Sequence, residues 1–182
     1  MALLNAIKIA TFLIFITFLS EPPQAQATLS DEYALMALYT YNFAKFTDWP
    51  SASFMDADAP LNLCILGDDP FGRALVKIEG KKIKRHVLRI KRYPRVAVIS
   101  ACHIVFISRS EHARLQTILQ ALADQPILTV SDIPDFAQYG GMIGLETVAQ
   151  RVRFAINSAV ASRAGLKLSS KLLELAQMVH NG

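Results

Sequence analysis

The chain has little of what most catalytic and membrane-spanning proteins need. After Thr28 no apolar stretch approaches the ~20 residues that a helix needs to cross a bilayer, which argues against an integral membrane domain. No repeat or low-complexity tract appears, so neither a solenoid nor a disordered linker is indicated. Neither G-x-S-x-G nor H-E-x-x-H occurs, which removes the nucleophile elbow and the zinc-protease helix. The four histidines, His86, His103, His112 and His180, are scattered, and none pairs with another His or a carboxylate at the spacing that sets metal ligands on one helix face. Gly140, Gly141 and Gly144 precede a strand pattern and not a helix N-terminus, so they form no phosphate cradle. The sequence therefore offers no catalytic motif and no cofactor site, and the expectation is a protein that is not an enzyme.

What is present begins with a targeting segment. Residues 1–27, MALLNAIKIATFLIFITFLSEPPQAQA, combine an early cation at Lys8, an apolar run from Ile9 to Leu19, and Ala25 and Ala27 flanking Gln26. This is the layout of a cleavable secretory signal with an A-x-A site, and it predicts a mature chain of residues 28–182, one domain in an oxidising compartment such as the periplasm. Two cysteines remain, Cys64 and Cys102. An even count in an exported chain favours one disulfide, the alternative being two buried thiols. If they bond, their strands or strand ends must be neighbours, because the alpha carbons have to approach within ~7 Å.

Charge is concentrated in one place. The formal net charge is +4, and the run KKIKRHVLRIKRYPR, Lys81 to Arg95, carries most of the local excess. Such a cluster in a cytoplasmic chain would suggest nucleic acid; export argues against that partner. Two readings remain: an edge strand blunted by cations against aggregation, or a docking surface for an acidic face of another periplasmic or membrane-attached domain. On the second reading the candidate partner-binding residues are Lys84, Arg85, Arg89 and Lys91, joined by Trp49 from the aromatic stretch YNFAKFTDWP.

Periodicity places the elements. Ser30 can cap a helix whose apolar positions Leu35, Leu38, Tyr39, Phe43 and Phe46 share a face, and Pro50 ends it near Thr47. LNLCILG (Leu61–Gly67), CHIVFIS (Cys102–Ser108) and PILTVSD (Pro126–Asp132) read as buried strands. Asp69 caps a helix from Pro70 to about Ile78, ended by Gly80. The basic run reads as one strand with a wet face, or as two with a turn near Tyr93 and Pro94. Ser108 and Glu111 match a capping box that opens a helix through Ala121, with Leu115, Ile118, Leu119 and Leu122 inward. IPDFAQYGG suggests a short helix closed by Gly140, and MIGLETVAQRVRFAIN a strand pair joined around Val148–Gln150. Leu172, Leu175, Ala176 and Val179 suggest a closing helix. Strands alternating with helices predict a single-domain α/β sandwich whose mixed sheet carries helices on both faces, parallel in the middle and antiparallel at one edge.

Two pairs tempt a catalytic reading and fail on geometry. Adjacent side chains such as Asp68 and Asp69 point apart, and capping explains Asp69. Cys102 and His103 would fall on opposite faces of a strand, so they make no dyad.

In order along the chain, FAKFTDWP, LNLCILGDDPFG, CHIVFIS followed by S-R-S-E, ILTVSD, FAQYGGMIGL, RVRFAIN and AGLKLSSKLLELA resemble the YfiR-like periplasmic proteins over nearly the whole mature chain. The resemblance implies a non-enzymatic repressor that binds the sensory domain of an inner-membrane diguanylate cyclase and lowers cyclic di-GMP, disfavouring biofilm. It further implies sequestration by an outer-membrane, peptidoglycan-associated lipoprotein, a disulfide at Cys64 and Cys102, and a homodimer. Some relatives carry a second cysteine pair within the region from GGMIGL to RVRFAIN; this chain has none there, so redox control through such a pair is not carried over. The competing expectation is a periplasmic small-ligand-binding accessory of a sensor kinase or transporter, with aromatics lining a pocket at the strand ends.

Overall fold

A computed structural model describes residues 24–94, 99 and 101–180. The signal-peptide reading, up to residue 23, lies outside the described residues. Strands β2 (Leu61–Leu66), β5 (Ile104–Ile107) and β6 (Leu128–Ser131) are buried at every position. Alternation then sends Leu61, Leu63 and Ile65 into one core and Cys64 and Leu66 into another on the opposite face. A strand apolar on both faces must be covered on both. Helix α1 (Gln24–Lys45) contributes Met36, Ala37 and Phe43 to the first core, and α2 (Leu115–Leu122) contributes Leu115, Ile118 and Leu122 to the second.

Among the described residues the remaining strands are β1 (Thr47–Asp48), β3 (Lys82–Ile83), β4 (His86–Tyr93), β7 (Ile143–Val148), β8 (Arg151–Asn157), β9 (Lys167–Leu168) and β10 (Met178–His180), with two further short helices, α3 (Ser158–Arg163) and α4 (Ser170–Leu175). The main sheet has eight strands in the order β10-β8-β7-β6-β5-β2-β4-β3. The run from β4 to β7 is parallel, as expected of strands buried on both faces. Antiparallel pairs occur on both sides of it, β3 with β4 and β7 with β8, where one edge alone was expected. The outermost β10 lies parallel to β8. The α/β class with helices on both faces is as the sequence suggests.

Several local expectations are corrected. Helix α1 starts upstream of Ser30, and its buried stripe is Met36, Ala37, Thr40, Phe43 and Ala44; Leu35 and Leu38 are exposed and Phe46 is only partly buried. Thr40 fits that interior because its hydroxyl donates to Met36 O at 2.9 Å, so no buried donor is left over. Asp69 Oδ1 accepts from Phe71 N, but the segment it precedes is a 3-10 helix, Gly72–Lys77. The capping box does not close: Ser108 N donates to Leu66 O in the sheet, while Glu111 turns inward and pairs with Arg114 at 2.8 Å. A 3-10 turn, Arg109–Arg114, therefore precedes α2. IPDFAQYGG is a series of turns whose Gly141 leaves room for the Phe136 ring; an added Cβ would lie 2.1 Å from it. The closing helix stops at Leu175, which is exposed, and Val179 belongs to β10, whose backbone bonds to β8 outweigh the helical spacing. Helix α3, with its cap Asn157 accepting from Val160 N, had no counterpart in the sequence reading.

Cys64 and Cys102 are disulfide-bonded, their alpha carbons 5.9 Å apart on the neighbouring strands β2 and β5 or immediately before them. The 38-residue separation closes a loop that contains β3 and β4. Two stability outcomes follow. Reduction should lower stability by about 4 kcal/mol on the chain-entropy account, read as a shift in urea midpoint with and without reductant. Phe43→Ala should cost about 3–5 kcal/mol and Phe46→Ala clearly less in the same assay, since only Phe43 is fully buried; equal losses would contradict the packing.

Candidate functional site

The segment from Pro50 to Pro60 crosses the amino ends of β2, β4 and β5. Pro50 and Pro60 restrict the backbone at its two ends, and nothing in its sequence, SASFMDADA between the prolines, supplies a hydrophobic stripe. Two histidines hold it instead. His86 Nδ1–H donates to Ala59 O at 2.7 Å. His103 Nδ1 accepts from Asn62 N–H at 3.1 Å, which fixes the ring proton on Nε2, and Nε2–H donates to Ser53 O at 3.0 Å. Phe54 stacks between the two rings, with centroids 3.9 Å from His86 and 4.4 Å from His103. Trp49 meets His103 edge-on and donates from Nε1 to His103 O at 3.2 Å.

This stack divides the amino end of the sheet into two cavities, one on each face. The first, about 500 Å³, is walled by Trp49, Phe54, Leu61, Ile83 and His86, with Lys84 and Arg85 at its rim. The second, about 780 Å³, lies beyond Phe54 and His103 and includes Asn62, Arg89 and Lys91. All five residues expected from the sequence to meet a partner therefore border the two cavities: Trp49, Lys84 and Arg85 the first, Arg89 and Lys91 the second.

The basic run folds as a hairpin, with its turn at Lys84 and Arg85 and not at Tyr93 and Pro94; Lys84 takes a positive φ of 55°. The Lys84 ammonium is committed to Thr47 O and to the Asp48 carboxylate. Arg85 forms no ion pair among the described residues. The outer edge of β4 is guarded: Ile90 N donates to Glu79 Oε2 at 2.9 Å, and Arg89 lies 3.6 Å from the same carboxylate. The blunted-edge reading thus describes β3 and the Glu79 cover more than the cations of β4 themselves.

The opposite, carboxyl end of the parallel strands is where α/β sheets usually bind ligands. Here the chain fills it. An added Cβ at Gly67 would lie 2.5 Å from Ser110 Oγ and 2.8 Å from Glu111 Cγ. Tyr33 donates to Asp132 Oδ2 at 2.7 Å, and Arg109 donates to Asp132 O at 2.8 Å. Burial, and then the bond to Asp132, push the Tyr33 hydroxyl up to about 12, so it stays a donor. Asp69 is tied to Arg92 at 2.7 Å, away from catalytic use. Among the described residues no three His, Cys, Asp or Glu side chains are grouped to hold a metal, and no helix is long and apolar enough to cross a membrane.

Sequence reasoning found the cations and Trp49 but missed Phe54, His86, His103 and Asn62 as parts of one site. The histidines are 17 positions apart and the stack joins them through a loop, so no spacing rule reaches them. The Pro-bounded segment after Trp49 was the one available signal.

Burial lowers the pKa of His103 from the ordinary value, against the Ser53 carbonyl, which raises it; the fields of His86 and Lys91 lower it further. A lowered folded pKa means that the unfolded chain takes up the proton first as pH falls. Stability is then complete above about 6.5 and declines as pH drops from there through the folded value. Urea midpoints measured from pH 8 to 5 should show this decline, and His103→Gln should flatten that portion of the profile; an unchanged slope would refute the assignment.

A family model described as YfiR/HmsC-like matches residues 33–177. Among solved structures, an ABC domain in complex with L-Trp from Streptococcus pneumonia aligns with a TM-score of 0.53 at 11% identity, over 79% of this chain and 60% of that one. At that identity the likeness is one of fold, and this chain spans only about 60% of the length of that relative.

Proposed function

This chain belongs to the YfiR/HmsC-like family, and from that premise we propose that it is a periplasmic negative regulator that binds the sensory domain of an inner-membrane diguanylate cyclase and suppresses cyclic di-GMP synthesis. Family membership is the observation that carries this reading. On it, residues 1–27 are the cleaved signal, residues 28–182 the working domain, and an outer-membrane peptidoglycan-associated lipoprotein the competing partner that draws the regulator away. The protein acts by contact and turns over no substrate, alone or as a homodimer.

The Trp49 cavity suits the contact. A partner's apolar side chain entering between Trp49, Phe54 and Ile83 would gain about 1.5–3 kcal/mol from burial, enough for an anchor. Arg85, which lines that cavity and has no ion pair among the described residues, would meet an acidic neighbour of that anchor and speed encounter at low salt. Repression then follows from differential affinity: the regulator prefers the inactive sensory state, and the ratio of its affinities for the two states sets the residual activity.

Deleting the gene should raise cellular cyclic di-GMP, and a copy bearing Arg85→Glu should fail to restore repression while its Tm is unchanged, because Arg85 is a surface residue. Unaltered cyclic di-GMP on deletion, under conditions where the protein is made, would refute the regulatory reading. Full repression by Arg85→Glu would move the contact elsewhere.

A further inference from the structure

The Pro50–Pro60 loop is held to the sheet at very few points. Between the prolines only Ser53, Phe54 and Ala59 are partly covered, and the other positions are exposed. These three are the residues that the two imidazoles touch: His103 Nε2–H donates to Ser53 O, His86 Nδ1–H donates to Ala59 O, and Phe54 stacks between the rings. Among the described residues, the segment 51–59 has no other hydrogen bond and no ion pair to the rest of the protein. The bonds donated by Ser53 N, Phe54 N, Asp58 N and Ala59 N return to Pro50, Ser51 and Asp56. Phe54 is the one side chain of the loop that packs against the first core.

The two anchors respond differently to a proton. Imidazole and imidazolium can both donate from Nδ1–H, so the bond from His86 to Ala59 survives in either form. His103 must also accept, at Nδ1, from the Asn62 N–H at 3.1 Å. A proton on that nitrogen takes the lone pair which the N–H occupied and leaves two donors facing each other. The bonds to Asn62 and Ser53 use the two nitrogens of one planar ring, so the ring cannot turn from Asn62 and keep Ser53 unless the loop moves with it. A ring flip gives no escape, because it puts C–H groups where both nitrogens were. No carboxylate stands ready to hold an imidazolium. The second cavity sets Arg89 and Lys91 of β4 around His103, and its lining contains no Asp or Glu. On the Trp49 side, Asp48 is tied to Lys84, and Asp56 accepts from Asp58 N within the loop. Burial opposes a charge on His103, the Ser53 carbonyl favours it, and the fields of His86 and Lys91 oppose it again. The face of Phe54 would attract an imidazolium, but that attraction does not require the bond to Asn62.

We infer that the Pro50–Pro60 loop is an acid-released latch: a proton from solvent binds His103 Nδ1, the ring gives up the Asn62 N–H, and Ser53 and Phe54 leave their seat while His86 tethers the Ala59 end. Phe54 borders both cavities, so its departure opens the wall of the Trp49 cavity. In the closed loop the ring takes a proton reluctantly. In the open loop it meets water and has the ordinary value of about 6.5, so the open form is protonated first as pH falls. The open-to-closed ratio therefore rises from about pH 6.5 downward, by at most about tenfold per pH unit for one proton, and levels off below the closed-form value. The latch stands apart from the regulatory reading, and only its consequence rests on it: a partner anchored in the Trp49 cavity would be held less tightly in acid, and repression would ease.

The purified protein, in the form that the producing cell accumulates, is followed by amide NMR from pH 8 to 4. The emission of its single tryptophan, which meets His103 edge-on, gives a second signal. The amides of Asn62, Ser53, Phe54 and Met55 should shift in one transition below about pH 6.5, while those of β5 and β6 stay in place. Trp49 emission should change at the same midpoint, and exchange of the Asn62 amide, corrected for its intrinsic pH dependence, should speed up through it. His103→Gln keeps an acceptor and a donor but takes up no proton, and it should remove the transition. Lys91 has no ion pair among the described residues, and its field opposes the proton. Lys91→Gln should therefore raise the midpoint and Lys91→Glu raise it further, a readout that holds even where His103→Gln fails to fold. An unmoved midpoint in both Lys91 variants would overturn the latch. Loop amides that stay fixed while His103 titrates would show a ring that charges in place, and shared shifts in β5 and β6 would show unfolding of the whole chain; either result overturns it, as does the absence of any transition. Cyclic di-GMP levels play no part in this readout, so the latch and the regulatory reading fail or stand separately.

Discussion

His103 is asked to do two things that only one form of imidazole can do together. Its Nδ1 accepts from the Asn62 amide and its Nε2–H donates to the Ser53 carbonyl, so the ring must be neutral with its proton on Nε2. In that form it ties β2 to the Pro50–Pro60 loop and gives Phe54 a flat surface against which to stack. Protonation would convert Nδ1 to a donor facing another donor. The position of the loop, the separation of the two cavities and the placement of Trp49 all depend on this one ring.

The sheet explains why the functional surface lies at the amino end. Strands apolar on both faces need helices on both, and crossovers from strand to helix leave two ends of the sheet for everything else. At the carboxyl end, where a doubly wound sheet ordinarily opens, Ser110 and Glu111 close over Gly67, and Tyr33 and Arg109 cover Asp132. These contacts occupy the Tyr33 hydroxyl and the Arg109 and Arg114 guanidinium groups, while one carboxylate oxygen each of Glu111 and Asp132 stays buried without a partner among the described residues. At the amino end the disulfide holds Cys102 to β2, the Pro-bounded loop bridges the strands, and Asn62 and Ser53 are left with unpaired oxygens. A fold shared with distant proteins thus carries its distinctive chemistry in a loop, and fold alone does not identify function.

The elements legible in the sequence were those whose burial is set by a local pattern. LNLCILG, CHIVFIS and PILTVSD are strands because nothing but a two-faced core accepts such runs, and the hairpin around Val148–Gln150 follows from alternation on both sides. Readings failed where the sheet competed with a local preference. Ser108 resembles half of a capping box, yet its N–H was already committed to Leu66. Val179 continues a helical spacing, yet the exposed edge of β8 offered it a ladder. Leu35 and Leu38 lie one position away from the true stripe because Ala and Thr, at Ala37, Thr40 and Ala44, carry the closest approach of α1 to the sheet; small residues let the backbone come near and give little hydropathy signal.

By itself the sequence determined the α/β class, the parallel middle of the sheet, the pair of cysteines able to bridge it and the run of cations from Lys81 to Arg95. These are consequences of composition and period, which act over a few neighbouring residues. Only the tertiary structure decided that the hairpin turns at Lys84, that His86 and His103 close on the two faces of Phe54, and that Asn62, beside Arg89 in the register, is buried with its amide held by Ala101 O. Those relations join positions far apart along the chain through the strand register, and register is fixed by the packing of the whole sheet.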